Sequence, residues 1–132
     1  MKPFALFAVA CGLTVAAAPA LAQTSDPAQF MATCSACHQP TGKGIPGAFP
    51  ALAGDAFVQG DPAKVVAVVL NGRGGMPSFK ADLSDTQIAA ALTYVRSAWG
   101  NHASAVTPAM VATNRLLRRL WEPRVGMTWT RA

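Results

Sequence analysis

The sequence predicts an all-α domain. Three observations carry this: four helix starts are marked by capping residues, no stretch alternates with the period of a strand, and the exported body is short for a self-sufficient core. Small domains of this size often need a staple or a cofactor to pack on.

Residues 1–22 stand apart from that domain. Lys2 gives a positive start, Phe4 to Ala18 is an almost unbroken apolar run, and Ala20-Leu21-Ala22 is a small-x-small cleavage site. This is the layout of a secretory signal peptide, cut between Ala22 and Gln23. The apolar run is short for a membrane span, which leaves an uncleaved N-terminal anchor as the weaker alternative. Ala8-Val9-Ala10 makes a poor lipobox before Cys11, so Cys11 is expected to leave with the signal. Export places the mature chain in the periplasm.

The helices follow in order. Asp26-Pro27 supplies an N-cap followed by Pro at the first helical position, and a helix is expected to about Ala36. Asp61-Pro62 repeats the device for a helix carrying Val65, Val66, Val68, Val69 and Leu70, ended by Asn71-Gly72. Ser84-Asp85-Thr86-Gln87 reads as a capping box, with Ile88, Leu92, Val95 and Trp99 at helical spacing and Gly100 as the stop. Thr107-Pro108 opens a fourth helix, to about Trp121. Between the first two lies a long Gly- and Pro-rich loop, Gln39 to Gly60, and a second Gly-rich loop runs from Gly72 to Pro77. A loop that long inside a compact domain usually wraps something. Residues 23–105 form the expected domain and 106–132 a basic helix and tail.

Charge is divided unevenly. In residues 23–105 the cations Lys43, Lys64, Arg73, Lys80 and Arg96 are cancelled by Asp26, Asp55, Asp61, Asp82 and Asp85. Residues 106–132 hold Arg115, Arg118, Arg119, Arg124 and Arg131 against Glu122, a surplus of +4. An exported chain with a neutral main body is not a nucleic-acid binder.

Without the signal, two cysteines remain, Cys34 and Cys37, in Cys34-Ser35-Ala36-Cys37-His38. Cys-x-x-Cys-His is the attachment signature of c-type haem. Two thiols a two-residue spacer apart meet the two vinyl groups on one haem edge, and the following His38 is carried under the ring to the iron. A disulfide or redox dithiol is the plainer reading of the pair alone, but it leaves His38 unused and would need a thioredoxin-like sheet. Zinc would need four ligands where the mature chain offers Cys34, Cys37, His38 and the distant His102.

The sixth ligand is expected from Met76. Met31 lies three residues before Cys34 on the same helix and cannot reach over the haem, whereas Met76 sits in Gly74-Gly75-Met76-Pro77, well downstream of His38. Glycines let that backbone approach the ring, Pro77 stiffens the exit, and a thioether paired with His raises the iron potential. With both axial sites filled, a peroxidase-like enzyme is disfavoured.

At these residues, over about 26–100, the chain resembles the class I cytochromes c, the small monohaem Met/His family. The resemblance is carried by Cys34 to His38, by Phe49-Pro50-Ala51-Leu52-Ala53-Gly54 and by Gly74 to Pro77. Within the class it is most similar to bacterial periplasmic cytochromes and dehydrogenase cytochrome c subunits. The resemblance implies a cytochrome c fold wrapped around one covalent haem c, and single-electron transfer to redox partner proteins such as a periplasmic dehydrogenase or a terminal oxidase. It further implies that the Pro50 carbonyl accepts a hydrogen bond from His38, that Leu52 packs on the haem face, and that Phe30 and Tyr94 meet where the first helix crosses the last of the domain. Asp26 stands where the family often has Gly, so a looser or shifted crossing is expected.

Other features are plainer. Thr41-Gly42-Lys43-Gly44 lacks the upstream Gly of a phosphate loop and reads as a turn. Arg73 is either a partner for a haem propionate or a solvated cation, His102 a surface residue, and Trp99 a core residue. In the tail, Ala109, Met110, Leu116, Leu117, Leu120 and Trp121 gather on one side of the helix and Arg115, Arg118 and Arg119 on another. That pattern suits a cover for the domain, an anionic membrane surface, or an acidic partner, and three Arg beside Leu and Trp favour the partner. Membrane contact is not required by it.

The intact mass of the purified protein checks the processing. It is expected to equal the chain from Gln23 plus one haem, and retention of residues 1–22 would mark an anchor instead.

Overall fold

The computed structural model describes residues 25–125, so the expected signal segment and the last residues of the tail lie outside it. Six helices make up the fold, and among the described residues there is no strand, only the isolated bridges Ile45–Phe49 and Arg73–Met76.

The first helix, α1, spans Pro27–Thr33, capped by the Asp26 carboxylate, which accepts from the Ala28 N–H at 2.8 Å. The sequence reading ran it to Ala36. Instead the chain breaks at Cys34 (φ −110°) and resumes as α2, Ser35–His38. The Cys34 N–H still reaches the Phe30 carbonyl and the His38 N–H the Cys34 carbonyl, so the two pieces make one bent rod. Gln39 ends it by turning left-handed, φ 63°.

The expected loop from Gln39 to Gly60 holds a short helix, α3, Ala56–Gln59, capped by Asp55 through the Val58 N–H at 2.8 Å. Next, α4 covers Pro62–Asn71 with Asp61 as N-cap and Gly72 (φ 73°) as C-cap. The capping box of Ser84 and Gln87 starts α5, Asp85–Ser97. It stops three residues short of Gly100. Trp99 (φ 53°) and Gly100 (φ 82°) are both left-handed, and two such residues in succession cannot continue a right-handed helix. Trp99 therefore lies beyond the helix on which its spacing had placed it. The last helix, α6, spans Pro108–Val125, four residues past the expected end at Trp121.

Two apolar clusters hold these elements. One joins α4, α5 and α6 through Val65, Val66, Leu70, Ile88, Ala89, Leu92, Val106 and Val111. The other joins α1, α3 and α5 through Phe30, Val58 and Val95. Phe30, Tyr94 and Trp99 form a mutual aromatic triangle with centroids 5.0–5.5 Å apart. The crossing of α1 over α5 is close rather than loose, because the Asp26 N–H reaches the Ala90 carbonyl at 3.4 Å and the facing side chain on α5 is only an alanine.

Trp99 also covers the turn after α2. A Cβ on Gly42 (φ +67°) would stand 2.4 Å from the Trp99 ring, so the turn and the indole fit only with glycine there. Gly42→Ala is expected to lower the unfolding free energy by about 2–4 kcal/mol, from a strained backbone and a displaced ring. Gly47 is equally left-handed (φ +78°) with nothing within 4 Å, so Gly47→Ala is expected to cost only about 1–2 kcal/mol. Denaturant titration of the two holoproteins measures the difference.

Candidate functional site

The bent α1–α2 rod puts Cys34, Cys37 and His38 on one wall of a cavity of about 340 Å³. The opposite wall comes from Gly75, Met76, Pro77 and Phe79, and the remainder from Thr33, Ala48, Phe49, Pro50, Val68 and Arg73. Cys34, Cys37, His38, Pro50 and Met76, expected from three separate segments of sequence, thus line one space. Leu52 does not. It is half-buried against the Phe30–Val58–Val95 cluster, because its N–H is bonded to the Gly42 carbonyl at 2.7 Å and its carbonyl to Asn101, which turn the side chain inward.

His38 is 9% exposed, and its Nδ1–H donates to the Pro50 carbonyl at 2.9 Å. That bond fixes the tautomer and leaves Nε2 unprotonated and free. Folding Pro50 back over His38 requires Gly44: its N–H bonds the His38 carbonyl at 3.0 Å, and a Cβ there would lie 2.6 Å from the Pro50 oxygen. Met76 is presented by a tight turn in which Arg73 and Met76 exchange backbone hydrogen bonds at 3.1 and 3.2 Å. The Ser78 hydroxyl, donating to the Leu70 carbonyl at 2.6 Å, and the Phe79 N–H, donating to Val69 at 3.0 Å, bind that turn to the end of α4.

Burial, and secondarily the neighbouring Cys37, pushes the Cys34 thiol up to about 11. Reactive dithiols instead favour a thiol shifted down toward neutrality. No group of three or more His, Cys, Asp or Glu side chains among the described residues could hold a metal ion. Met31 and Met110 are exposed at 45% and 39% and neither lines the cavity, while Met127 lies outside the described residues. His102 is a surface residue whose N–H meets Gln59. The Arg73 guanidinium lies 4.6 Å from the centre of the Phe57 ring at the cavity rim.

The residues missed from the sequence are of two kinds. Phe49, Val68 and Phe79 line the cavity. Val68 had a legible signal: α4 is apolar on more than one face, and the face not used by the α4–α5–α6 cluster is the one turned to the cavity. Asn101 had none. Fully buried just after α5, it accepts from the Gly54 N–H at 2.9 Å and donates to the Leu52 carbonyl at 2.9 Å and the Val95 carbonyl at 2.8 Å. It therefore clamps the segment that carries Pro50 onto α5. Arg96, 1% exposed, does the same for the next turn through the Val58 and Gly60 carbonyls.

An all-helical fold that wraps a largely apolar cavity, with a Cys-x-x-Cys-His rod on one wall and a methionine loop on the other, defines a class I c-type cytochrome. The chain belongs to the cytochrome family described as cytochrome c oxidase, cbb3-type, subunit III, whose family model matches residues 22–95. It is 41% identical over 98 residues to a cytochrome c-552 of Thermus thermophilus, covering 62% of this chain and 65% of that one. It is 33% identical over 92 residues to the cytochrome c subunit of a quinone alcohol dehydrogenase of Gluconobacter oxydans, covering 61% of this chain but 19% of that subunit. A cytochrome c6 of Leptolyngbya boryana matches at 41% over 68 residues, 50% of this chain and 80% of the relative. The cofactor is covalently bound haem c, and the chain spans less than two thirds of the length of the first two of these relatives. The residues present fit that group: two adjacent thiols, a tautomer-locked imidazole and a thioether surround one apolar cavity.

Asn101→Leu removes three hydrogen bonds to backbone groups and leaves the buried Val95 carbonyl without its Asn101 partner, while the Leu52 carbonyl keeps the Asp55 N–H at 3.4 Å; it is expected to cost about 1–3 kcal/mol. It is also expected to speed exchange of the His38 Nδ1 proton, followed by NMR. Thr93→Val removes an equally buried hydroxyl, bonded at 3.1 Å to Val106 instead, and should leave that proton unchanged.

Proposed function

We propose that this protein is a periplasmic monohaem cytochrome that passes single electrons, with its haem held by thioethers at Cys34 and Cys37 and its iron ligated by His38 and Met76. The observation that carries the reading is the shared cavity, with His38 Nε2 free and Nδ1 tied to Pro50 on one wall, and Met76 on the other. When bound, the haem supplies a reversible one-electron couple. The chain's own residues do the rest. The Pro50 carbonyl holds the imidazole in one orientation and enriches it in electron density. The Arg73–Met76 turn holds the thioether in place without a long flexible approach. His38 and Met76 would hold the iron in both oxidation states, so little would have to move when an electron arrives or leaves. Phe49, 37% exposed, lines the cavity and gives it an apolar border for a donor or acceptor.

The partners follow from the relatives: a periplasmic dehydrogenase, a terminal oxidase, or both, with the chain acting as a carrier or as the cytochrome subunit of a dehydrogenase. Export rests on the Lys2 to Ala22 segment.

The ligand set is tested by the near-red charge-transfer band of the ferric protein, which reports thioether ligation. The purified protein is expected to show it, and Met76→Ala to lose it and become high-spin with a fall in midpoint potential. A high-spin spectrum in the unsubstituted protein would sink the reading.

A further inference from the structure

The inward side of α6 is settled by two residues. Val111 is fully buried in the core. Arg115 is drawn into the fold, its Nε on the Asp85 carboxylate at 2.5 Å, its other nitrogens on the Leu83 carbonyl at 2.6 Å and the Lys80 carbonyl. Leu116, Leu117 and Leu120 are exposed at 59%, 61% and 70%, and Met110 at 39%. At 3.6 residues per turn, these four fall within an arc of about 120° centred opposite Val111 and Arg115. Single exposed leucines need no explanation, but a contiguous row on the outermost face of a helix does.

We propose that this outward face of α6 lies on the surface of an anionic lipid membrane and holds the cytochrome there peripherally. The charge points to an anionic surface: residues 106–132 carry a surplus of +4 while residues 23–105 are neutral, and exposed Arg119 borders the row, about 60° from Leu116. An apolar stripe bordered by an exposed arginine fits an interfacial helix, whose leucines enter the acyl boundary while the guanidinium reaches the phosphates. An acidic protein groove would use more polar anchors. Between the leucines and Met110 only Thr113 interrupts the row, and Arg115, one of the cations that favoured a protein partner, is consumed inside the fold. No helix among the described residues is long and apolar enough to cross a membrane, so the contact is with the surface.

The position suits electron transfer at a membrane. None of the side chains lining the haem cavity comes from α6. Val68 of α4 faces the cavity, whereas Val65, Val66 and Leu70 face the cluster shared with α6. Docking through α6 therefore leaves the cavity mouth uncovered for a partner.

The test is co-sedimentation of the mature holoprotein, beginning at Gln23, with vesicles of phosphatidylglycerol and phosphatidylethanolamine and, separately, of phosphatidylcholine. Partition onto the anionic vesicles is expected to be about tenfold stronger and to weaken as salt rises. The double variant Leu116→Ser/Leu120→Ser is expected to lose that tenfold, while Met31→Ser, at an exposed apolar site on α1, keeps it. An unchanged visible spectrum shows that each variant is folded, since all three side chains are solvent-exposed. Equal partition onto both vesicle types, or undiminished binding by the double variant, overturns the proposal. So does absence of binding; sedimentation velocity then tells whether a second copy of the chain covers the row instead. None of these outcomes bears on the axial ligands, so the electron-transfer assignment stands or falls separately.

Discussion

The hydrogen bond from His38 Nδ1–H to the Pro50 carbonyl is the constraint on which this structure turns. It joins the end of the α1–α2 rod to a loop twelve residues further on, and it can form only if that loop folds back on itself. The fold-back is secured at three levels. Gly44 lets the backbones of the two strands of the loop touch, Gly42 accepts hydrogen bonds from Leu52 and Ala53, and Asn101 grips Leu52 and Gly54 from behind. Each of these is a backbone or amide bond taken out of water, where a missing partner is more costly than a present one is favourable. The imidazole is therefore oriented by the whole loop, not by one contact.

Behind the loop stands α5, which organises the molecule through polar groups as much as through its apolar face. Arg96 reaches the Val58 and Gly60 carbonyls on one side and Ser104 on the other, while Thr93 both donates to and accepts from Val106. No buried side-chain nitrogen or oxygen among the described residues is left without a partner. A core satisfied in this way specifies a single arrangement of α3, α5 and the connector to α6.

The helix α6 belongs to two environments at once. Its first turns complete the core through Val111, and Arg115 pins it to the start of α5, where a cation meets Asp85 at the helix N-terminus. Beyond that point Leu116, Leu117 and Leu120 are exposed with no cover from the domain. The surplus of arginine that set the tail apart in the sequence is thus split: the Arg115 guanidinium is structural, whereas Arg119 is exposed.

The sequence by itself determined the helix starts, the Cys34–His38 attachment, Met76 and Pro50 as candidates, and the Phe30–Tyr94 contact. These are written in local chemistry, in caps, in fixed spacings and in a Gly-Gly-Met-Pro turn, or in segments that a known family repeats. Helix ends were less legible: α1 breaks at Cys34 and α5 stops before Trp99 because backbone turns, not propensity, end them. Only the tertiary structure decided that Leu52 turns away from the cavity, that Val68, Phe49 and Phe79 line it, and that Asn101 and Arg96 hold the proximal loop. Those roles depend on hydrogen bonds between residues 36 to 49 positions apart, and no local pattern encodes a partner that far along the chain. The same holds for the haem site as a whole. Its motif is local, but the cavity exists because distant segments are clamped against one helix.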